Sequence, residues 1–180
     1  MEYQFRLAAE RDTDEVIKLY LSGIKHLIEQ KIYQWDEIYP NEKVIAGDII
    51  NREMYVLSDE AQILSCVVLN EDQDISYQGA DWKYTGGRIA VIHRLCVKPE
   101  CQGRRIGRRT MEYAEQLIKA TGYSSIRLDA FSDNYISRNL YEKLGYRYAG
   151  TTKFRKGQFY LMEKSCSIIM DKNDTAGGMV

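Results

Sequence analysis

The sequence predicts a single α/β domain in which about four helices pack on a mixed sheet of about seven strands. Its 180 residues, of which 44% are hydrophobic and 28% are charged, have the length and composition of one globular domain. Apolar residues alternate with polar ones in some segments and recur at helical spacing in others, which separates strands from helices. The resulting order of elements, βααβββαβαββ, is typical of a mixed sheet with helices on it.

The first half of the chain is predicted to form a strand, two helices and a hairpin. Tyr3, Phe5 and Leu7 alternate with polar residues, as in a half-buried strand. The next elements are a helix from Asp12 or Thr13 to about residue 32, an aromatic segment at 33–40, a helix that begins at Asn41, and strands at 54–57 and 63–69. Residues 70–87 are polar and contain three glycines, so we expect a long loop there.

The second half is predicted to alternate strands and helices and to end in a hairpin. Its elements are a strand at 89–97, a helix that ends near Thr121, a strand at 126–130, a short helix that begins at Asp133 or Asn134, and strands at 146–152 and 158–166. Gly122 and Gly145 follow the two helices, where glycine commonly ends a helix. We expect one domain over residues 1–166 and a poorly ordered tail over 167–180.

Composition argues against several classes of protein. The formal net charge of −1 is unlike that of a nucleic-acid binder, and no apolar run approaches the roughly 20 residues of a membrane span. The N-terminus lacks the layout of a secretion signal. The four cysteines lack the paired spacing of metal ligands, so we expect no metal, reduced thiols and a cytoplasmic protein.

Four arginines surround the predicted start of the third helix. After the strand and Pro99, the chain continues as Gln102-Gly103-Arg104-Arg105-Ile106-Gly107-Arg108-Arg109. The unpaired N–H groups at a helix start already carry about half a positive charge, so arginines there are unfavourable unless an anion lies among them. This arrangement predicts a binding site for a pyrophosphate or a larger phosphorylated cofactor. The alternative is a solvated basic patch at a helix end.

Two segments resemble motifs of the GCN5-related N-acetyltransferase (GNAT) family. Residues 92–107 resemble its Q/R-x-x-G-x-G/A motif, and residues 134–146 resemble N-x-x-A-x-x-L-Y-E-K-L-G-F, with Arg105 in place of a motif glycine and Ser137 in place of an alanine. With the order of elements, the resemblance covers nearly all of residues 3–166. It implies a twisted, largely antiparallel sheet with one splayed pair of strands. It also implies transfer of an acetyl group from acetyl-CoA to a primary amine, by direct attack in a ternary complex.

The resemblance further implies which residues bind coenzyme A. Backbone groups of the splayed strand would hold the pantetheine arm, N–H groups of the loop would hold the pyrophosphate, and the second motif would contact the arm. The implied residues are Leu95, Cys96, Val97, Gln102, Gly103, Arg104, Arg105, Ile106, Gly107, Arg108, Asn134, Ser137 and Tyr141. Asn134 is either a helix cap alone or a cap that also bonds the cofactor arm. Tyr141 would be the general acid for the leaving thiolate, unless it is a packing tyrosine.

Three residues are candidates for the acceptor side. By period two, His93 shares a strand face with Leu95 and Val97 unless a bulge reverses the alternation. Its spacing resembles that of a histidine in the arylalkylamine acetyltransferases, so it is a candidate base for the amine, directly or through water; the alternative is a core histidine. Trp35 and Tyr39 lie in an aromatic and acidic segment that would form a wall of the acceptor site or simply connect two helices.

The acceptor itself is expected to be a small-molecule amine or a peptide amine, and a homodimer is compatible with the sequence. Two other functions remain open. A non-catalytic module of the same fold would bind acyl-CoA without turnover, and Arg105 leaves that alternative open. The arginine cluster could instead contact nucleic acid, which would show as a steep salt dependence.

Overall fold

A computed structural model describes residues 2–167, which contain one seven-stranded sheet and four α-helices. The strands are β1 (Gln4–Leu7), β2 (Met54–Ser58), β3 (Ile63–Asn70), β4 (Ile89–Val97), β5 (Ser125–Phe131), β6 (Arg147–Phe154) and β7 (Gly157–Ser165). The helices are α1 (Thr13–Glu29), α2 (Glu42–Ile50), α3 (Ile106–Ala120) and α4 (Tyr135–Lys143). The predicted fold class and order of elements are confirmed.

The sheet is antiparallel except at its centre. Its strand order is β1-β2-β3-β4-β5-β7-β6, and β4 and β5 form the parallel pair. α3 lies between these two strands in the chain, as expected because parallel neighbours need a long crossover connection. The largely antiparallel sheet that the resemblance implies is therefore present.

Helices cover both faces of the sheet. On one face, α1 and α2 bury residues such as Leu19 and Ile45 against β2, β3 and β4. On the other face, Met111 and Ala114 of α3, Tyr141 of α4 and Leu144, which follows α4, pack against β4, β5 and β7. Each large apolar side chain buried in this way contributes about 1.5–3 kcal/mol to folding.

Three segments differ from the prediction. α1 ends at Glu29 rather than near residue 32, because Lys31 takes a left-handed φ of 62°. The predicted loop at 70–87 contains a short 3₁₀ turn at Ile75–Gly79. The tail predicted at 167–180 lies, from residue 168 onward, outside the described residues.

The buried face of α4 is rotated relative to the apolar stripe predicted from Ile136, Leu140 and Leu144, which recur at every fourth position in the sequence. Ile136 is 44% exposed, Leu140 is partly exposed and Leu144 is buried. Tyr141, which the sequence places at the edge of the buried face, is only 6% exposed and packs in the core. The rotation turns Tyr141 toward the sheet and leaves Ile136 and Leu140 facing a cavity.

Candidate active site

β4 and β5 separate partway along their length. Residues 89–92 of β4 pair with residues 125–128 of β5, and no pairing between the two strands follows in the described chain. From residue 93 to 97, β4 remains paired with β3 on one edge only. This is the splayed pair that the resemblance implies, and it leaves backbone groups on the free edge of β4 available to a ligand.

A β-bulge in β4 lies where the two strands separate. Arg94 and Leu95 together face one residue of β3, and Arg94 takes a left-handed φ of 52°. The Arg94 guanidinium donates to both carboxylate oxygens of Asp48 in α2, at 3.0 and 2.6 Å, and to the Tyr39 hydroxyl at 2.6 Å. The Tyr20 hydroxyl donates to the Arg94 carbonyl at 2.7 Å. These hydrogen bonds hold the bulge in place.

One cavity of about 570 Å³, the loop cavity, follows the free edge of β4 to the start of α3. Its wall contains eleven of the residues predicted to bind a cofactor: Leu95, Cys96, Val97, Gln102, Gly103, Arg105, Ile106, Gly107, Arg108, Asn134 and Ser137. A Cβ atom at Gly107 would come within 3.3 Å of Val97 and 3.5 Å of Leu140, so glycine keeps this wall open. The first N–H groups of α3 have no partner within the helix and can bind an anion.

The four arginines of the loop do not all face this cavity. Arg105 and Arg108 line it, whereas Arg104 and Arg109 are not part of its wall. Arg108 also donates to Glu112 at 2.8 Å, and Arg109 lies over a tyrosine ring at 5.1 Å. Arg105 and Arg108, together with Lys143 of α4 and the start of α3, therefore offer positive charge to the cavity.

Asn134 begins α4 at the inner end of the loop cavity. Its Oδ1 accepts the backbone N–H of Ser137 at 3.1 Å, as a helix cap does, and its Nδ2 donates to Gln34 at 2.7 Å. Ser137 Oγ donates back to the Asn134 carbonyl at 3.1 Å. Gln34, Trp35, Leu95, Asn134 and Ser137 line both this cavity and a second one. The two cavities therefore meet at these five residues.

The second cavity, of about 770 Å³, has a wall of aromatic and acidic residues and is named here the aromatic cavity. Trp35 and Tyr39 both belong to that wall. Arg155 and Lys156 are in the wall as well, and both donate to the Asp36 carboxylate, Arg155 at 2.8 and 2.7 Å and Lys156 at 3.1 Å. These bonds tie the 33–40 segment to the turn between β6 and β7.

Tyr141 reaches the aromatic cavity from α4. Its ring packs edge-on against Tyr146, with ring centroids 5.8 Å apart. Burial, with a smaller contribution from the charge of Asp129, raises the pKa of the Tyr141 phenol above its ordinary value. The phenol is therefore protonated at neutral pH and can donate a hydrogen bond or a proton.

The bulge places His93 on the face of β4 opposite to Leu95 and Val97. His93 pairs with Val68 of β3, whose side chain packs on the α1–α2 side of the sheet, whereas Leu95 packs on the α3 side. The shared face expected from strict alternation is therefore wrong, because the extra residue in the bulge reverses the alternation. His93 nevertheless lines the aromatic cavity.

The His93 imidazole is neutral and held in one tautomer. Burial, together with the charge of Arg94, lowers its pKa to about 4. Its Nε2 lies 2.9 Å from Asn70 Oδ1, and Asn70 Nδ2 donates to Glu53 at 3.2 Å. Since the amide nitrogen is the donor to Glu53, Asn70 Oδ1 must accept from His93, and Nε2 carries the proton. In that tautomer the lone pair of His93 is on Nδ1, and a backbone hydrogen bond with Asp72 also acts on the ring, in the direction that raises its pKa.

Sequence analysis missed an acidic residue near the end of β5. Asp129 lines the aromatic cavity, and its Oδ2 accepts from the Tyr77 hydroxyl at 2.7 Å. Burial raises the pKa of the Asp129 carboxyl, while the hydrogen bond from Tyr77 acts in the opposite direction. A signal was present: Asp129 is an acid between the apolar residues Leu128 and Ala130 of a central strand.

Residues 2–167 contain neither a cluster of candidate metal ligands nor a helix of membrane-spanning character. That part of the chain contains no group of three or more His, Cys, Asp or Glu side chains placed to hold a metal ion. No helix within it is long and apolar enough to cross a membrane.

The sequence model of the acetyltransferase (GNAT) family matches residues 22–146, a range that includes the loop, the splayed strands and α4. The chain belongs to this family. This GNAT N-acetyltransferase is 23% identical to uncharacterized N-acetyltransferase YesJ of Bacillus subtilis, over 87% of each chain. It is 27% identical to spermidine N(1)-acetyltransferase of Thermoplasma acidophilum, over 83% of this chain and 96% of that protein.

Solved structures of GNAT acetyltransferases share the fold. A GNAT acetyltransferase from Streptococcus agalactiae superposes with a TM-score of 0.80 at 21% identity, covering 91% of this chain and 95% of that one. The PaiA N-acetyltransferase of Thermoplasma acidophilum, solved with coenzyme A, gives a TM-score of 0.70 at 19% identity, covering 92% and 99%.

Proposed function

We propose that this GNAT enzyme transfers the acetyl group of acetyl-CoA to a primary amine by direct attack, with both substrates bound at once. The observation that carries the proposal is the junction of the two cavities, at Leu95, Asn134 and Ser137, where β4 and β5 separate. A thioester in the loop cavity and an amine in the aromatic cavity would meet there, and holding two reactants in contact lowers the barrier substantially.

The loop cavity fits coenzyme A by its chemistry, and acetyl-CoA would supply an activated acetyl thioester. The start of α3, with Arg105 and Arg108, offers N–H groups and positive charge to a pyrophosphate. The free edge of β4 from Leu95 to Val97 offers backbone groups to the amide-containing arm, as an added strand would use them. The coenzyme A in the Thermoplasma PaiA structure supports the same ligand here.

The remaining predicted cofactor residues take supporting roles in this proposal. Gln102, Gly103, Ile106 and Gly107 form the loop wall, and Asn134 and Ser137 contact the arm near the junction. Cys96 contributes the backbone groups on the free edge of β4, not its side chain, to the binding of the arm. Arg104 belongs to the same loop but is not part of the cavity wall, so its proposed contribution is to the course of the loop.

Tyr141 is proposed to protonate the thiolate that leaves. Its buried phenol stays protonated at neutral pH, so it can donate a hydrogen bond to the leaving thiolate. The ordinary pKa of a thiol is near 8.5, below that of the phenol, so full proton transfer requires that burial in the cavity also makes the thiolate more basic. Positioned proton transfer of this kind contributes roughly 10²–10⁴-fold to a rate.

His93 is proposed to accept the proton of the attacking amine at Nδ1, directly or through a water. Its low pKa of about 4 keeps the ring unprotonated at neutral pH, so the lone pair is available. The same low pKa makes it a weaker base than an ordinary imidazole, so its contribution to the rate is modest. Trp35 and Tyr39 are proposed to contact the acceptor, since aromatic faces attract cations.

A small-molecule amine is the proposed acceptor class. The aromatic cavity has a volume of about 770 Å³, and its residues Arg155 and Lys156 are fixed by ion pairs with Asp36. The relative from Thermoplasma acidophilum, which is named for spermidine, supports a small amine over a peptide amine.

The proposal is tested by measuring the release of free thiol from acetyl-CoA in the presence of each amine in a panel. The measurement is made with wild type and with Tyr141→Phe. We expect amine-dependent release, and Tyr141→Phe should lower kcat about 100-fold with little change in the KM for acetyl-CoA. Tyr146→Phe is a matched control, because Tyr146 is a neighbouring buried tyrosine that lines neither cavity. Equal kcat values for Tyr141→Phe and wild type would remove the acid role. Acetyl-CoA binding without turnover of any amine would point to the sensor alternative.

A further inference from the structure

We propose that Glu163 of β7 is a positioning residue for the acceptor, because it holds the 70–87 segment in place as part of the wall of the aromatic cavity. This inference rests on the proposed function, since it concerns the acceptor site of the same reaction. Glu163 itself lies outside both cavity walls, so its effect on the acceptor is indirect.

Glu163 is the centre of a row of charged side chains across β5, β7 and β6. It pairs in register with Arg127 of β5 and with Arg147 of β6, so the three side chains lie on one face of the sheet. The 70–87 segment packs over the same face, where Tyr77 is buried against β4 and β7. A segment with little regular secondary structure therefore covers the row of charges.

The Glu163 carboxylate is fully buried, and the segment provides two of its partners. Its exposed fraction is 0%. Oε1 accepts the backbone N–H of Lys83 at 2.6 Å and a bond from Arg147 at 2.5 Å, and Oε2 accepts the backbone N–H of Tyr84 at 3.1 Å. A buried carboxylate is stable only if it is paired and hydrogen-bonded, and bonds from N–H groups to a charged acceptor are strong. The two backbone bonds therefore hold this part of the segment on the sheet.

Contacts within the segment connect the Glu163 bonds to the cavity. Trp82 precedes Lys83, and its ring centroid lies 4.1 Å from the Arg127 guanidinium. The Trp82 indole N–H donates to the Tyr77 carbonyl at 2.7 Å. The Tyr77 hydroxyl in turn donates to Asp129 in the cavity wall at 2.7 Å. A shift of the chain at Lys83 would therefore be transmitted to the wall.

The segment contributes to one of the two cavities only. Asp72, Gln73, Asp74 and Tyr77 line the aromatic cavity, whereas none of residues 70–87 lines the loop cavity. Ordering a long segment at the moment of binding costs conformational entropy, and a wall that is already ordered avoids that cost. Release of the segment from Glu163 should therefore weaken acceptor binding and leave acetyl-CoA binding unchanged.

The test is Glu163→Gln, assayed by thiol release with the amine of the panel that has the highest kcat/KM. Glutamine has one acceptor oxygen and an NH₂ group that cannot accept, so one of the two backbone bonds is lost together with the charge. We expect the KM for the amine to rise about 10-fold, which corresponds to about 1.4 kcal/mol. The kcat and the KM for acetyl-CoA should stay close to wild type, as when only binding of the acceptor is weakened.

Asp12→Asn is the matched control. Asp12 is also a buried carboxylate that accepts one backbone N–H, from Ala9 at 2.8 Å, and pairs with an arginine, Arg6, at 2.6 Å. All three residues lie outside both cavity walls. Asp12→Asn should lower the Tm without raising the KM for the amine. An equal rise of KM in both variants would show that lost stability alone is responsible and would overturn the positioning role.

A second pair of variants acts on the segment and leaves the buried carboxylate in place. Lys83→Pro removes the N–H that donates to Glu163, whereas Lys83→Ala keeps it. The Lys83 residue is exposed, so neither variant changes the core. We expect the KM for the amine to rise in Lys83→Pro only. If Glu163→Gln does not fold, this pair decides the outcome.

Hydrogen exchange tests whether the 70–87 segment transmits the effect. Its amides should exchange faster in Glu163→Gln than in wild type, whereas those of α1 should not. A rise in KM without faster exchange of the segment, or a KM for the amine that is unchanged in Glu163→Gln and Lys83→Pro, overturns the positioning role while wild type still releases thiol. Absence of thiol release by wild type with every amine instead overturns the proposed function, and this inference with it.

Discussion

Arg105 takes a left-handed backbone conformation, with φ of 62°, at the position where the family motif has a glycine. Gly103, two residues earlier, has φ of 74° without strain, because glycine has no Cβ atom. An L-residue such as arginine in this conformation is disfavoured by roughly 1 kcal/mol relative to glycine. The chain still makes the turn and lines the loop cavity. The departure from the motif therefore adds strain and a positive charge but keeps the course of the loop.

The low pKa of His93 predicts a loss of stability in acid. The folded-state pKa is about 4, and the value in the unfolded chain is near 6.5. Between these values the unfolded state binds more protons, so the free energy of unfolding is largest above pH 6.5 and falls as the pH drops toward 4. We expect His93→Gln to lose less unfolding free energy than wild type between pH 7 and pH 5. Urea unfolding at both pH values measures this, and equal losses would contradict the burial of a neutral imidazole.

Residues in the two motifs could be predicted from the sequence, whereas the contact between Asp129 and Tyr77 could not. The motif residues follow one another closely, so spacing alone brings them to the same loop or helix. Asp129 and Tyr77 are 52 positions apart, and their hydrogen bond depends on how the 70–87 segment packs on the sheet. Likewise, Asp36 meets Arg155 across 119 positions. Single-sequence patterns contain no information about such contacts.

At the scale of elements, β4 shows which features of a strand the sequence pattern predicts and which it does not. Its bounds, 89–97, were predicted as the structure has them. The bulge was considered only as an alternative, because His93 and Arg94 interrupt the apolar run but no glycine or proline marks an extra residue. The residue with positive φ is Arg94, and its conformation is maintained by partners in α2 and in the aromatic segment. Tertiary contacts rather than local sequence therefore determine which face His93 occupies.

The ion pair that Arg94 forms at the bulge leads us to expect a large loss in the free energy of unfolding when Arg94 is replaced. Arg94→Met would leave Asp48, a mostly buried carboxylate, without its partner. Breaking a buried ion pair in this way costs about 3–5 kcal/mol, because one charge remains uncompensated. We expect that loss in urea unfolding of Arg94→Met, with part of it recovered in Arg94→Met/Asp48→Asn.

Arg88→Met provides the control for that experiment. Arg88 forms an ion pair of the same length, 2.6 Å, with Glu71, but both side chains are more than half exposed. Exposed pairs contribute little to stability because water and salt screen them. The Arg88 variant should therefore unfold much like wild type. A double variant no more stable than Arg94→Met would show that the loss comes from packing of the bulge rather than from the unpaired charge.

At the scale of the whole molecule, the two helical layers and the splayed sheet produce two cavities that open into each other. The sequence predicted the layers, because periodicity reports which face of each element is buried. The resemblance to the GNAT family predicted the residues that form the loop cavity. The wall of the aromatic cavity combines the aromatic segment, the 70–87 segment, β4, β5, α4 and the β6–β7 hairpin, and only the folded chain brings these six parts together.

The junction of the two cavities predicts transfer without an acetylated enzyme. Cys96 is the thiol in the wall of the loop cavity, but burial raises its pKa well above the ordinary value, so the nucleophilic thiolate is not available. Double-reciprocal plots of rate against amine at several acetyl-CoA concentrations should therefore intersect. Cys96→Ala should keep turnover and lose only some stability, because its side chain fills space against Gly23 of α1. Parallel lines, together with a radiolabelled acetyl group retained by wild type and lost in Cys96→Ala, would instead establish a covalent route through that thiol.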